Sequence, residues 1–353
     1  IANTPHQHLV RGAKLPSGTT YRYVFSPPGV PDLPYLLFLH GYPESSYDWY
    51  NQISHFAEQG YGVIVPDLLG YGGTDDPSSL EDFNFRNMTQ DLGQLLDCEG
   101  IQTVFGISHD FGAPLLSRFI NYYPERLTAV AFLGNGYIPP QARLDIDAIT
   151  VINNASVTRH GYPKYGYWLF NNNENDTSSD LLLDRASLDS FYTVGYTSNS
   201  TYMRDHFAPI GALAEWLREN RTSADFFTSP LHQENWKKIV RAQGGLKGPL
   251  KWYQSMIVGI NNPQEDDLTA SGIIPQPALF VGADRDAISI PSEELSTMLP
   301  FASNIRIRSV DCGHFLQLEA PNEVNAHLDA FIRDVIATST SDYKSISSCW
   351  ENC

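Results

Sequence analysis

The sequence predicts a parallel, doubly wound α/β sheet interrupted once by a mostly helical insertion. Three observations carry this. Short, continuous apolar runs at Tyr35–Leu39, Tyr61–Val65, Thr103–Ile107 and Ala129–Leu133 alternate with helix-like stretches, as in strands buried on both faces. The rhythm stops near Gly136 and returns at Pro277-Ala-Leu-Phe-Val281. The polar loops His40–Ser45, Asp67–Thr74 and Ser108–Gly112 follow such runs directly, where open α/β sheets bind ligands.

Taken in order, residues 19–25 (Thr-Thr-Tyr-Arg-Tyr-Val-Phe) alternate as a strand does, and the Pro- and Gly-rich run Ser26–Pro34 is a turn. A strand over Tyr35–Leu39, a helix through Phe56 and a strand over Tyr61–Val65 follow. A helix around Met88–Leu96, a strand at Thr103–Ile107, a helix through Arg118 to Tyr123 and a strand at Ala129–Leu133 complete the first half. Residues 136–269 are rich in Tyr, Trp, Asn and Asp, with helical pieces at Gly211–Asn220, Asn235–Gln243 and Leu250–Val258 and no buried strand. A helix from Ser292, a strand at Ile305–Val310 and an amphipathic helix over Asn322–Ile336 close the core. The predicted division is therefore core over 1–135, cap over 136–269, core over 270–337 and a Ser/Thr-rich tail over 338–353.

The 353 residues are enough for one large α/β domain with an insertion, or for two domains. With 23 basic and 40 acidic residues the formal charge is −17, which argues against nucleic acid or an anionic membrane as partner. No run approaches the roughly 18 apolar residues that span a bilayer. The sequence leaves the oligomeric state open. An opening at Ile1 is expected if a leader has been removed. N-x-S/T sites at Asn87, Asn154, Asn175, Asn199 and Asn220, with Cys349 and Cys353 close together near the end, point to a secreted glycoprotein. A cytosolic protein with free thiols is the alternative. Gly70-Tyr71-Gly72-Gly73 lacks the Lys and spacing of a phosphate loop, and His6 and His8 read as a frayed terminus.

The candidate nucleophile lies in Val104-Phe-Gly-Ile-Ser108-His109-Asp110-Phe111-Gly112-Ala113, an apolar strand turning abruptly into a helix. Such a corner closes only where its flanking residues are small, because the strand and helix backbones nearly touch. With Asp110 at the apex, Ser108, Gly112 and Ala113 are all small. With Ser108 at the apex, the branched, charged Asp110 falls two residues on. The corner therefore favours Asp110, with Ser108 as the competing serine-hydrolase reading and a helix N-cap as the structural one. His109 reads as structural. For a base, His314 in Asp311-Cys-Gly-His-Phe315 sits on a loop between the last strand and helix. Asp284 and Asp286 both follow the strand before it and could orient it.

These segments resemble the epoxide hydrolases of the α/β-hydrolase superfamily. His40-Gly-Tyr-Pro43 is similar to their HGxP motif and Ser108-His-Asp-Phe-Gly112 to their G-H-D-W-G corner. Val281–Pro291 resembles their acid-bearing segment and aligns Asp286, rather than Asp284, with the relay acid. Asp311–Asn325 is similar to their C-G-H-x-x-Q…P-x-E-V loop and helix. The resemblance covers the hydrolase core and implies an α/β-hydrolase fold with a helical cap. It further implies a catalytic set of Asp110, Asp286 and His314, with oxyanion-binding main-chain N–H groups of Tyr42 and Phe111. Two cap tyrosines donate to the epoxide oxygen in this family. Tyr167-Trp-Leu-Phe170 fits the first, with Tyr165 as competitor, and Gly248-Pro-Leu-Lys-Trp-Tyr253 the second. Glu44 reads as a helix-start carboxylate or as a residue near the water path.

The implied reaction is opening of a small, hydrophobic epoxide to a vicinal diol through an aspartyl ester, with no metal or organic cofactor. Carbon–halogen hydrolysis by the same aspartate is an alternative, although Phe111 stands where fluoroacetate-type dehalogenases carry Arg. A Ser108 esterase or lactonase and a non-catalytic ligand-binding scaffold are the others.

Overall fold

The computed structural model describes residues 6–172, 187–197, 199–266, 268 and 272–350, with the backbone alone at 200 and over 339–350. Eight strands form one sheet in the order β1-β2-β4-β3-β5-β6-β7-β8. They are β1 (Val10–Lys14), β2 (Thr20–Ser26), β3 (Tyr35–Leu39), β4 (Gly62–Pro66), β5 (Val104–His109), β6 (Leu127–Leu133), β7 (Ala278–Ala283) and β8 (Ile305–Val310). β1 pairs antiparallel with β2 and β2 with β4, and the remaining pairs are parallel. The run Val10-Arg-Gly-Ala-Lys14 has no apolar alternation and lies on the sheet edge, so the sequence gives no strand signal there.

The central strands β3, β4, β5, β6 and β7 are buried almost throughout, as continuous apolar runs require. Helices α1 (Tyr50–Glu58), α2 (Phe85–Cys98) and α3 (Gly112–Tyr122) connect the four parallel strands β3, β4, β5 and β6. His6, expected in a frayed end, is instead buried, with Nε2 2.9 Å from the Ser54 hydroxyl on α1.

After β6 the chain leaves the sheet for helices α4 (Ile146–His160), α5 (Gly166–Asn171), α6 (Leu188–Gly195), α7 (Ala212–Arg218), α8 (Pro230–Ala242) and α9 (Lys247–Ile257). It rejoins the sheet at β7. Helix α4 has no narrow apolar stripe and leaves Ile146, Val151 and Val157 exposed, so its periodicity is invisible in the sequence. Helices α10 (Pro291–Met298) and α11 (Pro321–Trp350) flank β7 and β8. Helix α11 continues well past Ile336, through most of the segment expected to be a tail. The Cys349 side chain, Cys353 and Asn175 lie outside the described residues. Cys98 and Cys312 are free thiols.

Candidate active site

The corner between β5 and α3 sets the geometry. Asp110 has φ +47°, a left-handed conformation that a non-glycine residue adopts only when its surroundings hold it there. Its carbonyl accepts the Ala113 N–H at 2.8 Å, starting the helix at once. A Cβ on Gly112 would stand 2.2 Å from the Leu39 carbonyl oxygen, and one on Gly41 would stand 2.3 Å from Asp110 Cβ. The two glycines thus let β3, the loop after it and the corner meet. Ser108 points elsewhere: its hydroxyl is fully buried and lies 3.5 Å from the Ala131 carbonyl of β6. No histidine bond to it is present among the described residues, which removes the serine reading.

Asp110 Oδ1 accepts the Tyr42 N–H at 2.7 Å, and Oδ2 lies 3.5 Å from His314 Nε2. His314 Nδ1 meets Asp286 Oδ2 at 2.7 Å, while Asp286 Oδ1 accepts the N–H groups of Ile288 and Ser289 at 2.8 and 3.1 Å. Two backbone bonds tie the acid and histidine loops together, Asp284 N–H to Val310 O and Arg285 N–H to Cys312 O, each 2.9 Å. Asp284 is exposed and lines neither lobe of the cavity described below. The Phe111 N–H lies at the first residue after the corner, the N-cap of α3.

Behind this row sits a buried polar support. Glu44 accepts the Gly41 N–H at 2.5 Å, lies 2.9 Å from His109 Nδ1, and receives the Gln317 amide. His109 Nε2 lies 2.9 Å from the His314 carbonyl oxygen. His109 is thus structural, as expected, but it braces the histidine loop rather than its own corner. Gln317 was present in the sequence as the last letter of the C-G-H-x-x-Q pattern.

Electrostatics follow from these contacts. Burial opposes ionisation of Asp110, but the bond and charge of His314, with His109 and the Tyr42 N–H, hold its carboxyl below the usual range. Burial likewise disfavours the His314 imidazolium, yet Asp286 and Asp110 together raise it well above an ordinary histidine. Burial raises the Tyr167 and Tyr253 hydroxyls well above ordinary tyrosine, with the charge of Asp110 adding to it.

Both tyrosines come from the cap. A Cβ on Gly166 would stand 2.2 Å from Ile210 N, so α5 packs backbone to backbone and carries Tyr167 inward. Helix α9 is sewn to the loop after β4 by Trp252 Nε1–H to Leu69 O, 2.8 Å, and Lys251 to Asp76, 2.7 Å. That docking sets the place of Tyr253, whose ring meets those of Tyr42 and Phe111 edge-on at 5.0 and 4.6 Å. The tyrosine rings lie 6.0 Å apart. Asp110, Tyr167, Tyr253 and Ile288 line two adjoining lobes. The first also includes His314, Tyr196 and Phe315. The second also includes Asn135, Tyr165 and Trp168. Tyr165 thus faces only the second lobe and Tyr167 both. A larger cleft lined by Asp75, Asp76, Asp82 and Asp91 shares no lining residue with these two lobes. Among the described residues no group of three or more His, Cys, Asp or Glu side chains is arranged to hold a metal ion.

The family described as "alpha/beta hydrolase fold" matches residues 34–321. The chain belongs to this family. Within the α/β-hydrolases it is 27% identical to mouse "Bifunctional epoxide hydrolase 2" over 88% of this chain and 55% of that protein. It is 26% identical to "Epoxide hydrolase A" of Mycobacterium tuberculosis, over 86% of this chain and 92% of the relative. The chain spans about half the length of the mouse, pig and rat relatives it matches. The crystal structure of Epoxide Hydrolase A from Mycobacterium thermoresistibile superposes with a TM-score of 0.73 at 25% identity, over 92% of this chain and 98% of that one. Among the described residues, no helix of this α/β-hydrolase is long and apolar enough to cross a membrane.

Proposed function

We propose that the protein hydrolyses an epoxide to a vicinal diol through a covalent ester on Asp110. The observation that carries this reading is a carboxylate, rather than a hydroxyl, at the corner, with His314 beside it and Tyr167 and Tyr253 in the same cavity. Relatives bearing the name epoxide hydrolase over most of this chain support it.

Asp110 is ionised without a base and attacks a ring carbon directly. The leaving oxygen becomes an alkoxide, a much stronger base than an ordinary phenolate, and takes a proton from Tyr167 or Tyr253. Ester formation abolishes the negative charge of Asp110, one of the two that keep His314 protonated. His314 then gives up a proton, balancing the one the phenolate takes back, and becomes a base held by Asp286. It activates water for attack on the ester carbonyl. The N–H of Tyr42, already on Asp110 Oδ1, stabilises the oxyanion with that of Phe111; such a donor is typically worth about 3 kcal/mol. Ester cleavage returns the diol and the Asp110 carboxylate.

A single turnover in ¹⁸O-water tests this. The diol oxygen donated by Asp110 should carry no solvent label in the first turnover and gain it in later ones. Solvent label in the first diol would overturn the ester. Secretion remains part of the reading on its own ground: Asn87, Asn154 and Asn220 are exposed, and glycosylation there would appear as a mass lost on enzymatic deglycosylation.

A further inference from the structure

We infer that Asn135 is a specificity-determining residue that reads a hydroxyl group on the substrate, a few carbons from the reacting ring. The inference rests on the hydrolase reading above and narrows its substrate class. Asn135 follows β6 directly and lines the second lobe, where it is the one amide side chain among the described lining residues. Its side-chain oxygen is buried and has no hydrogen-bond partner among the described residues. A buried amide group left unpaired costs about 1–3 kcal/mol, so such an atom calls for a partner.

The fold does not need this side chain. The Asn135 N–H bonds the Leu133 carbonyl at 2.9 Å, and the next N–H, of Gly136, bonds Glu294 Oε2 at 3.0 Å. The loop is therefore pinned through its backbone on both sides, which sets the position from which the amide projects. The neighbouring walls (Ile138, Leu144, Trp168, Met256) are apolar, so a substrate arm there is mostly hydrocarbon. An unpartnered acceptor calls for a donor on that arm. A protonated amine would pair with the Asp110 carboxylate and weaken the nucleophile, whereas a neutral hydroxyl satisfies the amide without that cost.

The test uses two matched epoxides, one with a hydroxyl on one arm and the other with a methyl in its place. The wild type should favour the hydroxylated compound by about tenfold in kcat/KM, mainly through KM, the order of one buried hydrogen bond. Asn135→Leu should erase the preference while hydrolysing the methyl compound within about twofold of wild type. Should Leu disrupt folding, Asn135→Ala, which only removes atoms, carries the same expectation. A wild type without preference, or a folded variant that keeps it, overturns the inference. The two epoxides are also titrated against Asp110→Asn protein, in which binding is seen without turnover. A hydroxyl preference in binding with no diol from the wild type would sustain the role of Asn135 and reject epoxide hydrolysis.

Discussion

At the scale of single residues, Asp110 and His314 are expected to fail differently. Asp110→Asn removes the nucleophile and should lower turnover by at least about a thousandfold. His314→Gln leaves the attacking carboxylate in place but removes the base for the second step. It should therefore trap the ester: intact-protein mass spectrometry would show one substrate mass added per chain, and an unmodified protein would count against the two-step route. Tyr167→Phe and Tyr253→Phe each leave one donor. Since general acid catalysis contributes roughly 10²–10⁴-fold, each single change should cost about ten- to a hundredfold in kcat and the pair far more than either. If Tyr165→Phe matched Tyr167→Phe in effect, the assignment of the first donor would move to Tyr165, whose ring lies 6.2 Å away.

At the scale of elements, what positions the chemistry is close backbone contact. Gly112→Ala would push a methyl into the Leu39 carbonyl, 2.2 Å from the new atom. Neither β3 nor α3 has room to move, so a loss of about 2 kcal/mol and a lower melting temperature are expected, with activity falling as the corner opens. This tightness is also why the corner was legible: small residues at Ser108, Gly112 and Ala113 are a steric demand written in the chain. The buried strands were legible for the same kind of reason, each being one uninterrupted apolar run. What the sequence hid lacked such a demand. Edge strand β1 has no alternation, α4 has no stripe, and α11 keeps its helix where composition suggests a tail. In the candidate site, Asp110, Asp286, His314 and both tyrosines sit in patterned segments. The place of Glu44 and the role proposed for Asn135 depend on which partners the fold brings or withholds: Gln317 and His109 for the Glu44 carboxylate, and none among the described residues for the Asn135 side-chain oxygen.

At the scale of the whole molecule, the proposed proton donation by the two tyrosines requires the cap to stay seated on the core. A cluster at their joint bears on that. Glu293 on α10 meets three cap side chains: Lys164 Nζ at 2.7 Å, His160 Nε2 at 2.9 Å and Arg159 at 3.3 Å. Partial burial works against its ionisation, but the bonds from Lys164, His160 and Arg159 overcome this and hold its carboxyl down at about 2. The Tyr162 hydroxyl adds a bond to the Ala287 carbonyl at 2.8 Å, beside the Asp286 loop. A carboxyl whose folded value lies below its ordinary 4.5 stabilises the fold fully above that value, and the benefit drains away as pH falls towards about 2. Glu293→Gln should therefore melt below wild type at pH 7, and the gap between the two should narrow steadily from about pH 5 downwards. The same variant should lose turnover at neutral pH more steeply with temperature than wild type, because a loosened cap withdraws Tyr167 from Asp110. Equal melting temperatures at pH 7, or a gap that widens on acidification, would mean that the cap is held by its apolar contacts and not by this cluster.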